Sequence, residues 1–139
     1  MNKQNRGERW VLAQLVLFVL ILGSLFVGAG VTRLGWIVAA IGIVLGVWAG
    51  VTMGSSLSAF PRPPRDAELV DRGPYRYIRH PIYVGGVVFF AGLSLVFSVY
   101  GLILTAVLAA FWVAKARLEE RHLTERFPDY ADYKRRTLF

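Results

Sequence analysis

Three long uncharged runs constrain the fold of this chain more than any other feature of its sequence. Asp, Glu, Lys and Arg are absent from residues 10–32, 34–61 and 81–114. A transmembrane helix needs about 20 mostly apolar residues, so each of the first two runs fits one helix. The third run, with 34 residues, is too long for one span and fits a short helical hairpin.

These runs predict an all-α integral membrane helical bundle with four transmembrane helices, built as one domain over residues 1–139. The last helix is expected to leave the membrane near residue 118 and to continue past its surface. Hydrophobic residues make up 55% of the chain, which is high for a soluble domain and agrees with this class. The predicted helices lie at about residues 10–29, 34–57, 82–97 and 100–126.

The Lys and Arg residues predict how the bundle lies in the membrane. With four spans, all but one of the 16 Lys and Arg residues fall on the same side, and only Arg33 lies opposite. This positive-inside pattern predicts a multi-pass protein with cytoplasmic N- and C-termini. The net charge of +7 is then explained by this asymmetry and by anionic membrane lipids, so no nucleic-acid partner is predicted. The apolar run after the basic N-terminus is too long for a usual signal peptide and is interpreted as a retained helix.

The segment from Glu68 to Gly86 is the one long polar interval between apolar runs, and it concentrates Arg, His and Tyr residues at one helix start. An interfacial anchor would explain each residue singly but not their concentration, which favours a ligand site at the membrane surface. Pro81 is suited to the first turn of a helix, because its missing N–H costs nothing there. The positive end of that helix would face the polar segment and would suit an anion.

A pair of carboxylates, Glu119 and Glu120, lies near the predicted end of the fourth helix. On spacing alone they read as a solvated face paired with Lys115 and Arg121; the functional alternative is that Glu119 holds a cationic group or a ribose hydroxyl. Glu119-x-x-His122 also matches an element of di-iron bundles, but the chain has two His and no Glu within its spans, so no metal site is predicted. The chain also lacks Cys, a Ser elbow and a Walker loop, so any chemistry is expected to depend on a cofactor.

The run Leu69-Val-Asp-Arg-Gly-Pro-Tyr-Arg-Tyr-Ile-Arg-His-Pro-Ile-Tyr-Val-Gly85, followed by Glu119-Glu120 and Phe127-x-x-Tyr-x-x-Tyr-Lys134, resembles the isoprenylcysteine carboxyl methyltransferase family. That family extends to phospholipid N-methyltransferases, and its members are integral membrane enzymes that use S-adenosylmethionine. The resemblance covers roughly residues 60–136. It implies a methyltransferase with S-adenosylmethionine as cofactor, a lipophilic acceptor, foremost a carboxylate of the prenylcysteine type or a related lipid, and a cofactor site in the cytoplasmic segment between helices two and three.

The resemblance also implies roles for particular residues. Residues 67–70 would give backbone contacts to the cofactor, Tyr75 and residues 80–83 would line its pocket, and Glu119 would hold it from helix four. A basic residue one turn before that glutamate, here Lys115 with Arg117 close by, would position the substrate carboxylate. The expected cofactor-binding residues are Ala67, Glu68, Leu69, Val70, Tyr75, Arg79, His80, Pro81, Ile82, Tyr83, Glu119 and Glu120.

Two alternatives of other classes remain open. Membrane sterol reductases carry a similar Arg-x-x-Arg-His-Pro-x-Tyr segment and use NADPH, although the Glu119-Glu120 pair favours methyl transfer. The second alternative is a membrane scaffold that keeps the fold without an activity.

Overall fold

Five α-helices make up most of residues 4–139, the part of the chain that the computed structural model describes, with side chains described from Gly7 onward. Short 3-10 turns follow the second helix and precede the third, and the described residues contain no β-strand beyond one isolated bridge between Ile78 and Leu138. The predicted all-helical class is therefore confirmed. The helices are α1 (Gln4–Ser24), α2 (Gly35–Met53), α3 (Pro81–Phe97), α4 (Val99–Arg126) and α5 (Tyr130–Arg135).

Three of the described helices, α1, α2 and α4, are long and apolar enough to cross a membrane. The fourth apolar helix, α3, is shorter at 17 residues and lies between α2 and α4. These helices support a multi-pass membrane protein. The break between α3 and α4 lies at Ser98, where the backbone is extended and the Ser98 hydroxyl donates to the carbonyl of Val27 at 2.5 Å.

The first helix ends at Ser24, earlier than the predicted end at residue 29. The Ser24 hydroxyl turns back to the carbonyl of Ile21 at 2.6 Å, and Gly28 has a φ of 87°, which a helix does not allow. The following residues cover the α3–α4 break instead, since the N–H of Val31 donates to the carbonyl of Leu95 at 2.8 Å. These apolar residues therefore form a packed connection, which a hydropathy pattern does not distinguish from helix.

The helices pack in the order α2, α3, α4, α1, so each contacts its neighbour in this series. The helices at the two ends of the series, α1 and α2, make few direct contacts along their described lengths. The buried core lies where α1, α3 and α4 meet, around Ile21, Phe90, Leu108 and Trp112. As a result, one side of the bundle between α1 and α2 is not closed by helix packing.

The α2–α3 contact depends on glycines that let two backbones meet. A Cβ atom on Gly42 would lie 2.6 Å from the carbonyl oxygen of Gly85 and would collide with the backbone of Phe89. Gly50 lies on the same face of α2 by sequence spacing, but its surroundings are open: a Cβ atom on Gly50 would have no other atom within 4 Å. Small residues at such crossings allow close packing of helices in membranes.

We expect Gly42→Ala to lower the unfolding temperature of the detergent-purified protein, because the added methyl group can be accommodated only by separating α2 from α3. Overpacking of this kind costs about 1 to 3 kcal/mol. Gly50→Ala is the matched control, and its unfolding temperature should be unchanged or higher, since Ala favours helix over Gly. Equal unfolding temperatures for the two variants would contradict this account of the α2–α3 contact.

Candidate functional site

A cavity of about 560 Å³ lies at the end of the bundle where α2 finishes and α3 begins. Its volume falls within the range of small-molecule sites. All five helices contribute to its wall, and the irregular chain between α2 and α3 covers part of it. Polar side chains lie in the wall together with aromatic and aliphatic residues from deeper in the bundle, so the cavity has a polar part and an apolar part.

The structure brings most of the predicted site residues together around this cavity, although they come from the α2–α3 connection, from α3 and from α4. Three of them, Pro81, Arg117 and Glu120, do not line it. Those that do are Ala67, Glu68, Leu69, Val70, Tyr75, Arg79, His80, Ile82, Tyr83, Lys115 and Glu119.

Arg117 is exposed, whereas Lys115, two positions earlier on α4, is buried in the cavity wall. The separation has a simple cause, because two residues along an α-helix differ by about 200° around its axis. The structure therefore separates Arg117 from the cavity that it was predicted to serve. Pro81 is buried in the first turn of α3, where it starts the helix as the sequence predicted.

Glu119 presents its carboxylate at the cavity wall. The Tyr83 hydroxyl donates to Oε1 of Glu119 at 2.5 Å, Nζ of Lys115 lies 3.9 Å from the same oxygen, and Nδ1 of His80 lies 3.7 Å from Oε2. The Tyr83 ring is itself stacked between the rings of His80 and Trp112, at centroid distances of 5.5 and 5.0 Å. An anionic group is thus fixed in orientation within a largely aromatic and aliphatic wall.

Glu120, the next residue, has a different environment. Its carboxylate accepts from Nε of Arg79 and from Nζ of Lys134, each at 2.7 Å, and lies 3.3 Å from Nε2 of His80. These partners belong to the segment before α3 and to α5, so Glu120 ties three parts of the chain together behind the cavity wall. The two neighbouring glutamates therefore divide into one that faces the cavity and one that holds the wall.

His80 lies between the two carboxylates, with Nδ1 directed to Glu119 and Nε2 to Glu120. The distance of 3.3 Å from Nε2 to Glu120 is within hydrogen-bond range, whereas Nδ1 lies 3.7 Å from Glu119, a longer contact. Both ring nitrogens of His80 therefore face glutamates of the protein itself.

Lys115 is buried, with 1% of its surface exposed, and its ammonium group is engaged by the protein. Nζ donates to Oε1 of Gln14 at 3.1 Å and to the carbonyl of Ala59 at 2.7 Å. Gln14 also accepts from Nε1 of Trp112 at 3.0 Å. Lys115 therefore ties α4 to α1 and to the chain that leaves α2, and a substrate carboxylate would have to compete with these partners.

The chain between α2 and α3 is fastened to the end of α4 by Arg126, which was not among the predicted site residues. The guanidinium donates to the carbonyls of Pro64 and Arg65 and, at 3.5 Å, to that of Ala67. Just after this clamp, residues 69–70 form no backbone hydrogen bonds to other described residues. Their backbone groups, at the cavity wall, are thus available to a ligand.

Helix α5 supplies two further lining residues, both of which lie outside the predicted set of site residues. Tyr130 and Tyr133 are 1% and 3% exposed, and both side chains reach the cavity wall. The Tyr133 hydroxyl donates to the carbonyl of Tyr75 at 2.7 Å, and burial raises the pKa of this phenol to about 12. The signal that could have found them is the Phe-x-x-Tyr-x-x-Tyr spacing, which was already part of the family resemblance.

Metal ligation has no support in the described part of the chain. Between residues 4 and 139 there is no group of three or more His, Asp or Glu side chains placed to hold a metal ion.

Comparison with known proteins gives one family and two curated relatives. Residues 31–130 match the model of the phospholipid methyltransferase family. The nickel-cobalt-cadmium resistance protein NccN of Alcaligenes xylosoxydans xylosoxydans is 35% identical over 108 residues, which are 73% of this chain and 50% of that protein. The cobalt-zinc-cadmium resistance protein CzcN of Cupriavidus metallidurans is 44% identical over 73 residues, which are 50% of this chain and 33% of that protein.

The chain thus spans half or less of the length of these relatives. No solved structure matches it. The family match takes in α2, α3, α4 and the polar segment that lines the cavity. On this match, the chain belongs to the phospholipid methyltransferase family of membrane enzymes.

Proposed function

We propose that this protein is an S-adenosylmethionine-dependent methyltransferase that acts on a lipophilic acceptor at the membrane surface. The observation that carries the proposal is the composition of the cavity. Its polar part contains Glu119, His80 and Tyr83, and its apolar part is lined by Phe18 and Phe89 from inside the bundle. Such a cavity suits a reaction between a polar cofactor and an apolar substrate.

The residues present fit this cofactor. Glu119 offers a fixed carboxylate for a cationic or hydroxyl group of the ligand, and the unused backbone groups of residues 69–70 offer donors and acceptors for a heterocycle. Tyr83 and Trp112 add aromatic surface to the wall beside Glu119. When bound, the cofactor supplies an electrophilic methyl group: a lone pair of the acceptor forms a bond to the methyl carbon while the carbon–sulfur bond breaks, leaving its electron pair on sulfur.

The protein's own contribution is to orient the reactants and to exclude water. Both ring nitrogens of His80 face glutamates of the protein, so neither is placed to act as a base toward an acceptor. An acceptor that has no proton to lose is therefore favoured, and a carboxylate meets this condition. Its product is a methyl ester, and no proton is released.

The acceptor is proposed to enter from the bilayer between α1 and α2, the two helices that make few contacts. Phe18 on α1 and Val47 on α2 lie on the two sides of this opening, and both line the cavity. An apolar chain could remain in contact with lipid while its polar end reaches Glu119.

The cavity end of the bundle is proposed to face the cytoplasm, with both termini on that side. The basic residues of the α2–α3 connection and of α5 gather at this end, and the start of α1 lies there too, since a Cβ on Gly7 would be 3.4 Å from the Phe60 ring. A concentration of Lys and Arg on one face is the pattern of a cytoplasmic surface.

Calorimetric titration of S-adenosylhomocysteine into the detergent-purified protein tests the proposal. We expect binding in the micromolar range, because the cavity already contains the donors and acceptors described above. NADPH titrated in parallel should give no heat of binding. Binding of NADPH without S-adenosylhomocysteine would favour a reductase of the sterol reductase type, and binding of neither compound would favour a membrane scaffold.

A further inference from the structure

Helix α1 contributes one polar side chain to the cavity wall, that of Gln14. It shares the inner face of α1 with Phe18 and Ile21, because residues four and seven positions apart lie on one side of a helix. Leu15 and Val19, on the outer face, are 52% and 68% exposed. A polar group in an apolar helix is unfavourable unless it is hydrogen-bonded. Gln14 therefore needs partners on the inner side of the bundle.

The carboxamide oxygen of Gln14 has two partners, which fix the way the amide group is turned. Oε1 accepts from Nε1 of Trp112 at 3.0 Å and from Nζ of Lys115 at 3.1 Å. An indole N–H and an ammonium group can only donate, so the oxygen must be the atom that faces them. The NH₂ group of Gln14 is therefore directed away from both partners.

The NH₂ group of Gln14 has two N–H donors and no acceptor among the described residues, since its side-chain hydrogen bonds all use the oxygen. Its nitrogen is also not enclosed by protein atoms, unlike the buried and unpartnered hydroxyls of Tyr75 and Tyr130. Because Gln14 is half-buried and lines the cavity, the open side of this group is the cavity. A ligand oxygen placed there would supply the missing acceptor.

Gln14 lies between the opening proposed for the acceptor and the carboxylate proposed to hold the cofactor. Nζ of Lys115 is 3.1 Å from Oε1 of Gln14 and 3.9 Å from Oε1 of Glu119, so one ammonium group is close to both side chains. Phe18, one turn further along α1, lies at the opening between α1 and α2. The polar end of an acceptor that enters there would meet the NH₂ group beside the cofactor site. Gln14 lies outside residues 31–130, which match the family model.

We propose that the NH₂ group of Gln14 donates a hydrogen bond to a carboxylate of the acceptor, and that Gln14 thereby selects the acceptor. This inference rests on the proposed function and assigns the recognition of the acceptor's polar end to α1. A carboxylate has two oxygen atoms, so Gln14 can hold one while a lone pair of the other attacks the methyl carbon. The nearby ammonium group of Lys115 favours the same negative charge. An alkylammonium end would instead set its own donors against the N–H groups of Gln14.

Gln14→Glu tests this contact, because it keeps an oxygen for Trp112 and Lys115 and replaces only the NH₂ group, by a second carboxylate oxygen. With S-adenosylhomocysteine present, we expect the detergent-purified variant to bind radiolabelled palmitate about 10-fold more weakly or worse. Hexadecylamine, which has the same chain length and an ammonium end, should bind more tightly than to the wild type. The affinity for S-adenosylhomocysteine should be unchanged. Leu12→Glu is the matched control: Leu12 is 63% exposed on the outer face of α1, so palmitate binding should be unchanged.

Thermal unfolding without ligand separates this role from a structural one. Gln14→Glu should unfold at the wild-type temperature or above it, because an oxygen still faces Trp112 and Lys115. If that variant did not fold, Gln14→Met would decide alone: it keeps the side-chain length without the amide, and Lys115 retains its bond to the carbonyl of Ala59. Gln14→Met should also bind palmitate about 10-fold more weakly, with no gain for hexadecylamine.

Wild-type affinity for palmitate in either variant would overturn the inference. Equal weakening for palmitate and hexadecylamine would overturn it too, because it would show a loss of space and not of a donor. A matching loss for S-adenosylhomocysteine would assign Gln14 to the cofactor site instead, and a wild-type protein that binds S-adenosylhomocysteine but no palmitate would contradict the carboxylate assignment. Failure of the proposed function is a separate result, because then the wild-type protein itself would not bind S-adenosylhomocysteine.

Discussion

Glu119→Gln is expected to weaken the binding of S-adenosylhomocysteine by about 10- to 100-fold while leaving the protein folded. The substitution keeps the size of the side chain but removes the charge that the cavity holds in place with Tyr83 and Lys115. Hydrogen bonds and ion pairs to a charged group of a ligand contribute about 1.5 to 3 kcal/mol, which sets the size of the effect. Calorimetric titration in detergent measures it directly.

The matched control for this experiment is Glu125→Gln on the same helix. Glu125 is 78% exposed in its side chain, and among the described residues it pairs with His122 at 3.8 Å, outside the cavity. Its replacement should leave the affinity for S-adenosylhomocysteine unchanged. If Glu119→Gln bound as tightly as the wild-type protein, Glu119 would not hold the cofactor, and the assignment of the site to this carboxylate would be wrong.

Glu120→Ala is expected to have its main effect on stability, lowering the free energy of unfolding by about 3 to 5 kcal/mol. The Glu120 side chain is 9% exposed, and its removal would leave the guanidinium of Arg79 and the ring of His80 without their carboxylate. The contribution of Lys134 is smaller because its side chain is half exposed and solvent screens the interaction. The unfolding temperature in detergent, measured without ligand, reports this loss.

Asp132→Ala provides the comparison for Glu120→Ala. Its pair with Arg135 is exposed on both sides, at 73% and 79% of the two side chains, so the change should fall within about 0.5 kcal/mol. If Glu120→Ala lowered the free energy of unfolding no more than Asp132→Ala does, the contacts of Glu120 with Arg79, His80 and Lys134 would contribute little to stability. The two glutamates would then have to be reconsidered as one pair with a shared role.

Much of the fold could be predicted from the sequence because burying a charged side chain in a membrane is unfavourable. Membrane-spanning helices therefore appear in the sequence as long uncharged runs. The uncharged runs located α2, α3 and α4 closely, and Pro81 marked the start of α3 as predicted. The end of α1 was missed because the connection after Ser24 is apolar without being helical. It packs against the α3–α4 break, and such long-range packing does not appear in a local pattern.

The candidate site was predictable in its residues more than in their arrangement. The motif predicted both Glu119 and Glu120 as site residues. Which of the two faces the cavity depends on the rotation of α4 about its axis, which the motif does not show. The sequence also grouped Arg117 with Lys115, because a motif does not show how α4 is rotated. In the structure Arg117 lies on another face of α4 and is exposed. Tyr130 was missed as a lining residue because an aromatic side chain in a short helix after the last span has several ordinary explanations, and only its burial against the cavity separates them.

The order in which the helices pack has a consequence for how such an enzyme could change its specificity. Most of the residues proposed to bind the methyl donor come from the α2–α3 connection, α3, α4 and α5, whereas α1 contributes Gln14 and Phe18 to the wall and packs mainly on α4. Substitutions along α1 could therefore alter which acceptor is selected without disturbing the binding of the donor. In evolutionary terms, the two halves of the reaction could diverge independently within one small bundle.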